Sequence, residues 1–81
     1  MFKVELLGIS GEINLIYLLN LIRNNTNLKN QEILSIVEDL KNNSSVEIVL
    51  NSIDLSIANS FIVSLYEQNI RIGHTNFHEE N

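Results

Sequence analysis

An α+β two-layer sandwich of order βααβαβ, with three short strands backed by three helices, is predicted by three features of the sequence. Residues 2–6 and 70–72 alternate apolar with polar side chains, and Val46, Ile48 and Leu50 give a third apolar face at the same period of two. The runs between them repeat apolar residues at helical spacing, and each changeover falls on Gly, Asn or Ser. The length, 81 residues, suits one domain with one core.

Phe2, Val4 and Leu6 alternate with Lys3 and Glu5, which is the period of a strand with one buried face, and Gly8-Ile9-Ser10-Gly11 ends it. From Glu12 to about Asn24 the spacing becomes helical. Asn24-Asn25-Thr26-Asn27 supplies the stop, because asparagine tolerates the left-handed conformation common at helix ends. A second helix follows from about Asn30 to Lys41, with Ile33, Ile36, Val37 and Leu40 on its core side. Asn30 is its expected N-cap, and Glu32 complements the dipole in the first turn. Residues 42–45 make a turn, and Val46, Ile48 and Leu50 form the second strand face. The third helix starts near Asp54, whose carboxylate caps its first amides, and buries Ile57, Ala58, Phe61, Ile62 and Leu65. Asn69 ends it, and Ile70 and Ile72 belong to a short last strand. The domain is expected to span 1–74, with 75–81 a polar tail that frays.

A net charge of −5 and five Lys and Arg residues argue against nucleic acid or an anionic membrane as partner, since both need clustered cations. The longest apolar-rich run, residues 13–22, is interrupted by Asn14 and Asn20 and is far shorter than a membrane span. The opening Met1-Phe2-Lys3-Val4-Glu5 does not read as a signal peptide, so a cytoplasmic location is expected. There is no cysteine and hence no thiolate metal site. His74 and His78 are four apart, the spacing of one helix face, yet they fall on a strand end and a tail, where solvated side chains are the expectation and no metal site is assigned. Gly8, Gly11 and Gly73 do not compose a phosphate loop, and no serine sits in a nucleophile elbow. No catalytic constellation and no cofactor are therefore expected.

The stretch Leu18-Leu19-Asn20-Leu21-Ile22-Arg23-Asn24-Asn25-Thr26-Asn27-Leu28, continued by Glu32 and Ile36-Val37-Glu38, resembles the C-terminal domain of the bacterial ribosomal stalk protein, large-subunit protein seven/twelve. Ala58, Leu65 and Glu67 fit that family's last helix, with Asn69 where the family usually has Gly. The resemblance runs from Phe2 to Ile72 with about five extra residues around the second strand. It implies the βααβαβ fold and a surface on the first two helices that recruits translation GTPases through cationic side chains. Of those positions Arg23 keeps its charge, while Leu15, Asn20 and Leu34 stand where the family has lysines. The Clp protease adaptor shares the same arrangement and marks its N-terminus-binding site with an acidic pair after the first strand. Gly8-Ile9-Ser10 occupies that place here.

The first helix carries Ile13, Leu15, Ile16, Tyr17, Leu18, Leu19, Leu21 and Ile22, so its apolar positions run almost all the way round. Two packings accommodate this. Either the helix is sandwiched between sheet and second helix, or, as the resemblance implies, Leu18, Leu21 and Ile22 face inward and Leu15, Ile16 and Leu19 remain outward beside Leu34. Burying four such side chains in a complex yields roughly 6–12 kcal/mol against an association cost on the order of 4–15 kcal/mol, so binding through them is weak to moderate. The expected function is a small non-enzymatic protein-binding module whose surface is Leu15, Ile16, Leu19, Asn20, Arg23 and Leu34, used on a partner protein or in self-association. Two alternatives share its chemistry: an adaptor or mobile-element-encoded inhibitor that binds a host protein, and a stalk-like recruiter of translation GTPases.

Overall fold

Alternating strands and amphipathic helices assemble in the order β1 (Lys3–Ile9), α1 (Leu15–Asn25), α2 (Asn30–Lys41), β2 (Val46–Val49), α3 (Leu55–Glu67) and β3 (Ile70–Thr75). The computed structural model describes residues 1–77. The three strands form one antiparallel sheet of order β2-β1-β3. α2 packs on β1 and β2, α3 packs on β3, and α1 is carried by α2 and α3. Val4, Leu6, Ile48, Leu50 and Ile70 close the sheet side of the core. Leu18, Ile22, Ile33, Val37, Leu40, Ala58, Phe61, Ile62 and Leu65 close the helix side. The α+β class and the βααβαβ order predicted from periodicity are those observed.

Local chemistry explains most boundaries. α1 begins at Leu15 rather than at Glu12, because Asn14 is its N-cap and accepts a hydrogen bond from the Tyr17 amide at 3.1 Å. The residues before it are held elsewhere: the Glu12 carbonyl accepts from the Asn69 side chain at 2.6 Å, and the Asn14 amide donates to Gln68 Oε1 at 2.9 Å. In α2 the N-cap is Lys29 and Asn30 is already helical. Glu32, three residues into the helix, reaches back to accept from the Lys29 amide at 3.0 Å, so it satisfies an end amide as well as complementing the dipole. Asp54 caps α3 as expected, its Oδ1 accepting from the Ser56 and Ile57 amides at 2.8 and 3.2 Å.

Asn43 and Asn69 close α2 and α3 in the left-handed region, with φ of 59° and 60°. The Asn69 carbonyl also accepts from the Ser10 amide at 2.8 Å, so one residue ends α3 and pins the β1–α1 connection. Asn69→Ala adds left-handed strain of about 1–2 kcal/mol and removes the side-chain bond to Glu12, and the expected result in a urea titration is a loss of at least that size. A variant as stable as the parent contradicts this role.

Some expected core positions lie at its margin. Ile36 and Leu21 are half-buried, and Ile57 is exposed because it points about 90° away from the Ala58, Phe61, Ile62 and Leu65 stripe. Leu50 follows β2 but stays in register, its amide donating to the Phe2 carbonyl at 2.9 Å. The C-terminal boundary also differs from the expected 74. β3 runs to Thr75, Asn76 Oδ1 accepts from the Lys3 amide at 2.8 Å, Asn76 Nδ2 donates to the Met1 carbonyl at 2.8 Å, and Phe77 packs on Phe2 with ring centroids 4.8 Å apart. The remainder of the expected tail, His78 to Asn81, lies outside the described residues.

Candidate functional site: the outer face of the first helix

Ties at both ends fix α1. Gln68 and Asn69 hold its entry. At its exit the Asn25 carbonyl accepts from the Asn51 amide at 2.9 Å and the Thr26 carbonyl accepts from Asn51 Nδ2 at 3.2 Å. Thr26 is buried, donates through Oγ1 to the Ile22 carbonyl at 2.7 Å and accepts from the Leu28 amide at 3.2 Å, so it sets the turn into α2. Thr26→Val keeps the shape and strands the Leu28 amide, which costs about 1–3 kcal/mol and is read as a lowered urea midpoint.

With α1 so placed, Leu18 and Ile22 enter the core, and the arc adjoining them carries the expected surface. Ile16 is 72% exposed, Leu15 41% and Leu34 43%, and Arg23 is exposed. Leu19 and Asn20 are half-buried, Leu19 packing against the core rather than standing outward. At about 100° per residue, Leu15, Leu19, Arg23, Ile16 and Asn20 fall within an arc of about 140°. Arg23 joins this arc to α2, donating to Asn20 Oδ1 at 2.5 Å on its own helix and to Asn30 Oδ1 at 3.5 Å across the seam. Leu34 lies one turn beyond Asn30 on α2, as Leu19 and Asn20 lie one turn before Arg23 on α1, so Leu34 borders the same seam. Tyr17, half-exposed, points to the other side of α1.

The guanidinium is therefore oriented by two neutral amide oxygens, and among the described residues no carboxylate lies within ion-pair distance of it. The guanidinium thus stands beside an aliphatic strip, a combination suited to an apolar partner surface edged by a carboxylate.

α3 carries a second apolar surface that periodicity had not singled out. Leu55 and Val63 are about half-exposed and, with Ser56, Asn59, Ser60 and Ser64, line a shallow depression along this one helix. Its signal in the sequence was the excess of apolar residues over those the α3 stripe needs, but serine and asparagine dilute it. Among the described residues no cluster of His, Asp and Glu could hold a metal ion, and no helix is long and apolar enough to cross a membrane. His74 is exposed on β3, and His78, the other member of the spaced pair, lies outside the described residues.

Comparison with known protein families, curated proteins and solved structures finds no match to this chain.

Proposed function

We propose that the chain is a non-enzymatic protein-binding module that docks a partner protein on Leu15, Ile16, Leu19 and Leu34, with Arg23 and Asn20 at the rim. The observation that carries this reading is the exposure of Ile16 at 72%, with Leu15 next to it and Leu34 of α2 also exposed, on a helix whose ends are both tied to the domain. A fixed helix presents these side chains without a backbone-ordering cost on binding. Arg23 contributes direction: its charge, which no carboxylate among the described residues compensates, favours a partner whose apolar patch is bordered by Asp or Glu.

Ile16→Asp tests it. The substitution places a charge at the centre of the surface and touches little of the core, so binding falls at least about tenfold while stability stays within about 0.5 kcal/mol. Val63→Asp on the exposed face of α3 is the control. A partner captured by the parent and by Val63→Asp, and lost with Ile16→Asp, supports the reading. Equal capture by all three opposes it.

A further inference from the structure

We propose that two copies of this chain associate through their β2 edges, in antiparallel register about a two-fold axis at Ile48, to form one continuous six-stranded sheet. β2 is an edge strand, and its ladder parity is fixed by the bond from the Leu50 amide to the Phe2 carbonyl. Phe2 and Leu50 are thus a hydrogen-bonded pair, and alternation gives the same role to Val4 with Ile48 and Leu6 with Val46. Glu47 and Val49 consequently turn their N–H and C=O groups away from β1. The next outward amide, that of Asn51, is taken by the Asn25 carbonyl, whereas among the described residues Glu47 and Val49 have no such partner.

Self-pairing fits this edge. With Ile48 on the axis, Glu47 of one copy lies opposite Val49 of the other, both pairs are hydrogen-bonded pairs, and all four outward groups of each strand are satisfied. The register also brings opposite charges together across the interface, while within the protomer Glu5 leans onto β3 and accepts from the His74 amide at 3.1 Å. Glu5 and Glu47 are directly opposite one another on the sheet face away from the helices, and Lys3 is opposite Val49. In the pair of copies the row across that face reads Glu5, Glu47, then Val49 and Lys3 of the second copy. Lys3 thereby comes within reach of Glu47 across the small valine side chain.

On the helix side α2 packs chiefly on β1, which leaves beside the β2 edge a groove of about 300 Å³ lined by Met1, Leu28, Ile36 and Ile48 among others. The corresponding flank of the second copy closes it. The opposite edge, β3, is less suited to this use, because two register shifts break its ladder with β1. The pairing surface shares no residue with the α1 face and does not depend on the function proposed for that face.

The test is sedimentation across a wide concentration range on the parent, Val49→Lys, Val49→Glu and Val49→Pro, with thermal unfolding of each. Because Val49 faces Lys3 within the protomer and Glu47 of the second copy across the interface, charge acts with opposite sign on the two readouts. Val49→Lys lowers the stability of the protomer and tightens the dimer; Val49→Glu raises the stability and loosens the dimer. Each shift in dimer affinity is about two- to thirtyfold, from two symmetric cross-strand pairs. Val49→Pro removes an outward N–H that no described residue of the protomer takes, so the chain remains folded and monomeric. The proposal is overturned by a chain monomeric both as parent and as Val49→Lys, by Lys and Glu moving the dimer in the same direction, or by a dimer that survives Val49→Pro. A dimer abolished by Ile16→Asp and untouched by the Val49 substitutions also overturns it and assigns self-association to α1.

Discussion

Phe61→Ala lowers the free energy of unfolding by about 3–5 kcal/mol, the range for emptying an aromatic core site. Phe61 is 2% exposed, the largest side chain in the core, and sits on the helix that packs against β3 and carries α1. A domain of 81 residues holds in total roughly 4–12 kcal/mol, so this single change leaves little. In a urea titration the midpoint collapses toward zero while the slope is retained, since the surface exposed on unfolding barely changes. A loss under about 1 kcal/mol would mean that the α3 stripe is not the centre of the core.

Leu19→Asp and Ile16→Asp separate folding from binding on one helix. Leu19 is half-buried and packs against the core, so a carboxylate there loses apolar burial and is itself desolvated, at a cost of about 2–4 kcal/mol. Three positions earlier, Ile16 stands out in solvent, and the same substitution costs the fold at most about 0.5 kcal/mol. Both reduce partner binding, Leu19→Asp in part by depopulating the folded state and Ile16→Asp directly. The two thermal midpoints read the difference, which for a domain of this size is about 4–8 °C per kcal/mol. Equal midpoints would place both residues in the same environment and contradict the orientation of α1.

Periodicity made the elements legible because each strand has one buried face and each helix one buried stripe. Val4 and Leu6, Ile33, Val37 and Leu40, and Phe61, Ile62 and Leu65 all read correctly from spacing alone. Capping chemistry was visible where the residue type is decisive, as at Asp54 and Asn69. It misled where tertiary bonds decide. Ile13 continues the helical period, yet Gln68 and Asn69, more than fifty positions away in sequence, claim the groups on either side of it and move the helix start to Leu15.

The α1 surface was legible only as a surplus: one helix had more apolar positions than a single buried side could use. Which of them remain outside depended on where α2 and α3 sit. That is why Leu19, expected outward, is half-buried while Leu15 and Ile16 are exposed. That the amides of Glu47 and Val49 face outward, without a partner among the described residues, was out of reach of the sequence, since it follows from strand order and ladder parity.

The claim that α1 presents a partner-binding face is tested most directly by placing a photo-crosslinking amino acid at Ile16, and in parallel at Val63, and irradiating cells that express each chain. The account predicts a discrete adduct with a second protein from position 16, absent from position 63 and diminished when Leu34→Asp is added to the same chain. Adducts no different between positions 16 and 63, or adducts from position 16 that contain only another copy of the chain, would contradict it.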